Sequence, residues 1–254
     1  MGTNNNTVFT GKVLFELDKT ESTNTWLKDL ERAENLANGT VVVANHQIAG
    51  RGQGKNQWKA EAGKSLTFSV LYKPKAISPS NLFTFNMAVS LAVYDVIDEI
   101  LPNHDVKVKW PNDVFVVGKK ISGILIETIL RNNSIDQCIT GIGINVNQLL
   151  FEGIPDATSI AQHLGETVPL PEVLNSVLIS LEQAYLLVES GRNSAGILNR
   201  YNSLLFKLNE PQKFASNGRE FTALVKGVNK NGQLMLEVNG IEKLFSVGEL
   251  SWVK

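Results

Sequence analysis

Consecutive strand segments joined by tight turns, in the middle of the chain, constrain the fold more than any other feature of the sequence. Residues 106–110 alternate apolar side chains with lysine, which is typical of a strand with one buried face. The apolar runs 114–117 and 121–130, joined by a turn at Gly118 and Lys119, predict a β-hairpin. Such connections favour an antiparallel or mixed sheet over a doubly wound parallel sheet.

The rest of the N-terminal part of the chain combines further strands with helices. The predicted strands are 13–17, 41–43, 65–72 and 138–146, and the predicted helices are 26–36, 82–100 and 171–191. A long polar loop with several glycines, 45–64, follows the strand at 41–43. We therefore predict an α+β fold in a domain of residues 1–207, with a mixed, largely antiparallel sheet and helices that pack on it.

The pattern changes beyond residue 207, where short strands replace helices. These strands are predicted at 221–228, 233–238 and 241–245. Asn231-Gly232 and Asn239-Gly240, which separate them, are the two strongest hairpin signals in the chain. Residues 208–254 are therefore predicted to form a second, small β-barrel-like domain.

Composition excludes several classes of protein. The chain has 24 Lys and Arg residues and 25 Asp and Glu residues, which leave a net charge of −1. It therefore has no excess positive charge that would attract nucleic acid or an anionic membrane. Cys138, the single cysteine, cannot form an internal disulfide, and three scattered histidines give no zinc-ligand spacing. Residues 1–7 lack a signal-peptide core, and no apolar run approaches the roughly 20 residues of a membrane span. We expect a cytoplasmic protein.

Arg51 lies between Gly50 and Gly52 in the long polar loop. The third glycine of a dinucleotide fingerprint would fall at Lys55, and the chain contains no P-loop motif. Flanking glycines let the backbone approach a ligand closely, while the guanidinium offers several fixed donors to an anion. Taken alone, the segment is better explained as a solvated flexible loop than as a ligand-binding loop.

Three further segments have a functional and a structural interpretation. Residues 109–113, Lys-Trp-Pro-Asn-Asp, join a stacking surface to polar groups, or else form an ordinary turn with Trp110 in the core. Lys120 opens an apolar strand, where a solvated edge charge is the simpler explanation, and Gly123 in that strand indicates a close backbone approach. Residues 22–24 serve either as a helix N-cap or as ligand-binding groups.

Taken together, in order and separation, these motifs resemble the biotin protein ligases. The matching segments are Ser22-Thr23-Asn24, Gln47-Ile48-Ala49-Gly50-Arg51-Gly52, Lys109-Trp110-Pro111-Asn112-Asp113, Lys120 with Gly123-Ile124-Leu125-Ile126-Glu127, Gly141-Ile142-Gly143-Ile144-Asn145, and Ala157-Thr158-Ser159-Ile160. The resemblance implies a catalytic fold like that of class II synthetases, followed by an SH3-like β-barrel over 214–254. Too few residues precede Ser22 for the DNA-binding domain of the bifunctional members, so a monofunctional enzyme without a nucleic-acid partner is expected.

The resemblance implies a reaction in two steps. Biotin and MgATP form biotinyl-5′-AMP and pyrophosphate, and a lysine of a biotin carboxyl carrier domain of a carboxylase then takes the biotin as an amide. A carboxylate must approach the α-phosphate of ATP, anion to anion, so positive charge is needed between them. Arg51 and Lys120 are the expected catalytic residues. The resemblance leaves a monomer or a homodimer open.

The family pattern also assigns the substrate sites. The expected biotin-binding residues are Ser22, Thr23, Asn24, Gln47, Gly50, Arg51, Gly52, Gln53, Lys120 and Gly123. The expected ATP-binding residues are Arg51, Trp58, Asn112, Asp113, Lys120 and Asn145. Asp113 is expected either to hold the metal, Mg²⁺, or to orient Lys120.

Departures from the family and competing functions remain. Where many relatives carry further arginines, residues 53–57 are Gln-Gly-Lys-Asn-Gln, which predicts weaker retention of the adenylate with Lys55 as a substitute cation. Loop 50–57 is expected to be open without ligand and ordered over the adenylate.

Two other functions remain open. The related lipoate ligases and octanoyl transferases share the fold, and a non-catalytic biotin-binding protein is a third alternative. Cys138 is expected to be structural and not nucleophilic.

Overall fold

The computed structural model describes residues 6–253, so residues 1–5 of the predicted polar N-terminal stretch, and Lys254, lie outside it. A seven-stranded sheet forms its centre. The strands are β1 Leu14–Thr20, β2 Val41–Gln47, β3 Ser65–Tyr72, β4 Val106–Lys109, β5 Asp113–Val116, β6 Lys119–Arg131 and β7 Ser134–Asn145. Their order is β1-β2-β3-β7-β6-β5-β4, and only β1 and β2 pair in parallel. The predicted mixed, largely antiparallel sheet is confirmed.

Helices cover the two faces of this sheet unequally. They are α1 Thr23–Glu34, α2 Leu82–Ile100, α3 Ile160–Leu164, α4 Leu170–Glu189 and α5 Ser194–Ser203. The apolar residues of α2 and α4 join the main hydrophobic core on one face. On the other face, α1 packs through Leu27 against Val42, Leu71 and Ile139. The short α1 leaves the β5–β6 end of its face open for a site.

Helix α2 corrects the expectation that no apolar run is long enough to span a membrane. Together with a short 3₁₀ turn, the helix extends over the 22 residues Pro79–Ile100. By length and composition alone, this segment is long and apolar enough to cross a membrane. In the folded protein, 67% of its apolar window is buried, which is typical of a core helix packed under a sheet.

A second, antiparallel sheet follows in the C-terminal part. Its strands are β8 Pro211–Ser216, β9 Arg219–Val228, β10 Leu234–Val238, β11 Ile241–Phe245 and β12 Ser251–Trp252, in the order β11-β10-β9-β8-β12. Both Asn-Gly hairpins are present as predicted, between β9 and β10 and between β10 and β11. The two sheets are joined by the Trp110 indole, whose Nε1 donates to Gly232 O at 2.9 Å. The domain division at residue 207 stays a prediction.

The turn between β5 and β6 lies one residue earlier than predicted. Val116 pairs with Lys119, so the turn residues are Val117 and Gly118, with φ of 47° and 76°. A β-branched residue at positive φ is unusual, and the apolar pattern therefore assigned Val117 to the strand.

Candidate active site

A cavity of about 210 Å³ opens on the α1 face of the large sheet and unites most of the residues that the sequence singled out. The sequence-predicted residues that line it are Ser22, Thr23, Asn24, Gln47, Arg51, Gly52, Gln53, Trp58, Asn112, Asp113, Lys120 and Gly123. They come from the β1–α1 junction, the end of β2, the loop after it, the β4–β5 turn and β6. Segments that are distant in sequence therefore form one site.

Two predicted site residues lie outside this cavity. Asn145 lines an adjoining cavity of about 480 Å³, which shares Trp58 and Lys120 with the first. Asn145 Nδ2 donates to Thr158 O at 3.0 Å, while its buried Oδ1 has no partner within residues 6–253. Gly50, predicted to bind biotin, supports the loop: its carbonyl accepts from Trp58 N at 2.9 Å, and a Cβ there would collide with the Trp58 carbonyl.

One end of the cavity is a cluster of buried hydroxyl and amide groups. Gln47 Oε1 accepts hydrogen bonds from Thr23 N at 2.7 Å and from Thr23 Oγ1 at 3.0 Å. Ser69 Oγ lies 2.7 Å from Thr23 Oγ1 and 2.6 Å from Asn24 Oδ1. Ser22 holds the N-cap position of α1, but its side chain makes no capping hydrogen bond within the described chain. These groups offer both donors and acceptors to a small polar ligand.

The two predicted catalytic cations are each paired with a carboxylate. Arg51 contacts Glu127 through two parallel bonds of 3.0 Å, and Lys120 Nζ lies 2.7 Å from Asp113 Oδ1. The Lys120 ammonium lies beside Gly123, and Arg51 pairs with Glu127. These two β6 positions are four residues apart, which is about 13 Å along the strand. The two cations therefore line one cavity at separate points along β6.

Glycines form the floor of the cavity. Gly123 on β6 pairs with Gly143 on β7, and the indole of Trp58 lies on this pair so closely that a Cβ at Gly143 would overlap its ring. Gly141, two residues away on the same face, leaves room for Asn24 in the same manner. Both strands need glycine here because the side chains above them approach the backbone directly.

The β4–β5 turn is pinned to its neighbours. Trp110 is only 3% exposed and its indole donates to Gly232 O, so its predicted core position is confirmed, and the residue also lines the cavity. Asn112 O accepts from Ile124 N at 2.9 Å, and Asn112 Nδ2 donates to Ile124 O. These bonds attach the turn to β6 and thereby place Asp113 beside Lys120.

The ammonium group of Lys109 lies among three aromatic rings at the edge of the cavity. Its Nζ lies 4.6 Å from the ring centroid of Phe115, 5.6 Å from that of Phe206 and 4.8 Å from that of Trp252. Ammonium groups are attracted to the faces of aromatic rings at such distances. Trp252 belongs to the C-terminal sheet and lines the cavity, so this sheet contributes to the site.

Cys138 is completely buried, and burial raises the pKa of its thiol to about 12. A thiol in this state supplies almost no thiolate at neutral pH. The cysteine is therefore structural, as predicted, and is not a nucleophile of the kind that a cysteine-dependent acyl transferase needs.

Sequence reasoning gave no role to several residues of the site. Gly141 and Gly143 carried a signal, because paired glycines inside a strand indicate close approach. Glu127 was part of a matched motif and had no assigned role. Ser69 lies within an apolar strand, and Trp252 follows the cavity segments by more than a hundred positions, so the sequence contained no local signal for either residue.

Known proteins resemble this chain in sequence and structure. Residues 16–145 match the model of the Biotin/lipoate A/B protein ligase family. The bifunctional ligase/repressor BirA of Escherichia coli is 28% identical over 91% of this chain and 71% of that protein. The biotin–acetyl-CoA-carboxylase ligase of Mycobacterium tuberculosis is 29% identical over 91% of this chain and 86% of its own. A biotin protein ligase structure from Aquifex aeolicus, in complex with biotin and ATP, superposes with a TM-score of 0.81 at 31% identity, covering 96% of this chain and 99% of that one.

Proposed function

This chain belongs to the Biotin/lipoate A/B protein ligase family, and we propose that it joins biotin to a lysine of a biotin carboxyl carrier domain. As a biotin ligase of this family, it binds biotin and ATP and forms biotinyl-5′-AMP. The relative from Mycobacterium tuberculosis, named above as a ligase of acetyl-CoA carboxylase, makes the carrier domain of that enzyme the expected acceptor.

The observation that carries this proposal is the placement of Arg51 and Lys120 in one cavity with the polar cluster at Thr23 and Gln47. The polar cluster suits the ureido ring of biotin, which has one carbonyl acceptor and two N–H donors. The adjoining cavity, lined by Lys55, Lys59 and Asn145, suits the nucleotide. The reacting anions then meet between the two ends, next to the two cations.

In the first step, a carboxylate oxygen of biotin attacks the α-phosphorus of ATP. A new O–P bond forms between that oxygen and the α-phosphorus, the bond from the α-phosphorus to the bridging oxygen breaks, and pyrophosphate leaves with its electron pair. Arg51 neutralises the biotin carboxylate and Lys120 the α-phosphate oxygens, so that the two anions can approach in line. Each such electrostatic contact contributes on the order of a few kcal/mol to the transition state.

In the second step, the neutral amine of the carrier lysine attacks the carbonyl carbon of the mixed anhydride. The C–O bond breaks, AMP leaves with its electron pair, and the nitrogen loses a proton to solvent. Because water would also cleave the anhydride, loop 50–57 has to cover it until the carrier arrives. The isolated antiparallel bridge between Arg51 and Gln57 folds this loop back on itself, and both residues line the cavity.

Mg²⁺ is proposed to enter with ATP, without a metal site built from the protein. Within residues 6–253, no three His, Cys, Asp or Glu side chains are grouped so as to hold a metal ion. Asp113, one predicted ligand, contacts Lys120 and fits the second role predicted for it, the orientation of that lysine. When bound to ATP, Mg²⁺ neutralises phosphate charge.

The proposal is tested by incubating the protein with biotin, MgATP and a purified biotin carboxyl carrier domain. We expect the mass of the carrier to rise by one biotinyl group, and a carrier with its acceptor lysine changed to arginine to remain unmodified. An unmodified carrier in the presence of demonstrably folded protein would contradict the proposal.

A further inference from the structure

Glu127 joins the two segments that surround the polar end of the cavity. Its Oε2 accepts a hydrogen bond from Asn24 Nδ2 at 2.9 Å and another from Arg51 at 3.0 Å. Its Oε1 lies 3.0 Å from the second terminal nitrogen of Arg51. One carboxylate on β6 therefore contacts both the start of α1 and the glycine-flanked loop.

The carboxylate fixes the orientation of the Asn24 side chain. A carboxylate only accepts hydrogen bonds, so the amide nitrogen must face Glu127, and its second hydrogen points to Leu125 O at 3.3 Å. The amide oxygen is then turned to Ser69 Oγ, at 2.6 Å. Because Asn24 is only 3% exposed, water cannot replace these hydrogen-bond partners.

The same carboxylate anchors the loop. The Arg51 side chain is 48% exposed and would be mobile without a partner, but a bidentate contact fixes the plane of the guanidinium. The Glu127 side chain is itself 22% exposed, and Asn24 holds it at Oε2, the oxygen that also accepts from Arg51. The positions of Asn24 and Arg51 are thus coupled through Glu127.

We propose that Glu127 is a positioning residue for biotin: it orients Asn24 and Arg51 together, so that the polar pocket and the carboxylate-binding cation are formed as one unit. This inference rests on the proposed function and adds a residue to it. Glu127 lies at the biotin end of β6, whereas Lys120 and Trp58 lie at the nucleotide end. Its effect therefore falls on biotin and not on ATP.

The test is Glu127→Gln, which keeps the size of the side chain and removes its charge and one of its acceptors. In biotin-dependent ATP–pyrophosphate exchange, we expect the KM for biotin to rise about tenfold, or about 1.4 kcal/mol, with the KM for ATP unchanged. A merely structural role would lower the amount of active enzyme, and hence the apparent kcat, without changing the KM for biotin.

Asp95→Asn is the matched control. Asp95 forms a bidentate pair with Arg200 on the opposite face of the sheet, and neither residue lines the cavity. The two arginines are equally exposed, at 48%, and the Asp95 side chain is 41% exposed against 22% for Glu127. We expect this variant to keep the wild-type KM for biotin. An equal rise in both variants, or an unchanged KM in active Glu127→Gln, would overturn the inference.

A double-mutant cycle with Asn24→Ala supplies a second measurement. If Glu127 acts through Asn24, the double variant loses less biotin affinity than the two single changes together, whereas additive losses contradict the coupling. Biotin affinity is measured by calorimetry, which requires no turnover. Wild-type protein without exchange activity would refute the proposed function instead, so the two failures are distinguishable.

Discussion

Lys120 Nζ lies 2.7 Å from Asp113 Oδ1, and both residues line the cavity. Asp113 pairs in register with Gly123, and a Cβ at Gly123 would lie only 3.1 Å from that ammonium. The backbone of Lys120 is fixed as well, since its N–H donates to Asp156 O at 2.7 Å. The ammonium of Lys120 is therefore held over Gly123, where the strand has no side chain and a phosphate group has room to approach.

Lys120→Ala is expected to lower the rate of adenylate formation by roughly 100-fold or more, because a charge next to the reacting phosphate is lost. The thermal unfolding midpoint should change little, since the pair is partly exposed. Pyrophosphate exchange and thermal unfolding measure the two effects. Lys119→Ala, one position earlier and exposed, is the control and should keep the wild-type rate. A wild-type rate in Lys120→Ala would contradict the role.

Adding a methyl group to the glycine floor should separate the two substrates. Gly143→Ala pushes the indole of Trp58 away, and we expect a several-fold rise in the KM for ATP. Gly141→Ala displaces Asn24 instead and should raise the KM for biotin. Each variant controls for the other in steady-state kinetics. The assignment of the two ends is wrong if both variants affect the same substrate.

Trp252 should connect the C-terminal sheet to the site through Lys109. Trp252→Leu removes a ring from the group around the ammonium, and we expect a loss of about 1–2 kcal/mol in the free energy of unfolding together with weaker ATP binding. Trp252→Phe keeps a ring and should restore most of both. Trp26→Leu changes a tryptophan that packs against Phe15, outside the cavity, and should leave ATP binding unchanged.

Glu182 should make stability depend on pH. Burial alone raises the pKa of this carboxyl, but hydrogen bonds from the backbone N–H groups of Thr10, Val8 and Phe9 outweigh it and hold the pKa below its ordinary value. The stabilisation is complete above the ordinary pKa of glutamate and disappears as the pH falls through the lowered value.

Urea unfolding of wild type and Glu182→Gln checks this expectation between neutral pH and about pH 3. We expect the variant to be less stable by about 1–3 kcal/mol at neutral pH, because a buried acceptor of three hydrogen bonds is impaired. The difference should shrink as the pH falls. A difference that stays constant with pH would contradict the lowered pKa.

The sequence predicted those parts of the fold in which local pattern and tertiary packing agree. Strand 65–72 and helix 82–100 have the predicted ends, because long apolar segments bounded by polar residues have few other ways to be buried. Helix α5 and strand β8 were missed. Helix α5 has few apolar positions, with only Ile197 and Tyr201 buried, and β8 keeps just Phe214 buried, so neither segment shows a strong hydrophobic period.

The site was predictable where a residue acts through its own chemistry in a short motif. Arg51, Lys120 and Thr23 are in this class, and the cavity contains them all. Ser69, Glu127 and Trp252 are in the other class, because their contribution depends on which strand lies beside which. Pairing over such distances in sequence is a tertiary property, which propensity and spacing do not encode.

The central claim is that this cavity activates biotin as an adenylate. ATP–pyrophosphate exchange, measured with biotin and with lipoate in parallel, tests it most directly. The account predicts exchange that requires biotin and that is abolished by Arg51→Ala and by Lys120→Ala. Exchange with lipoate and none with biotin, or full exchange in either variant, would contradict it.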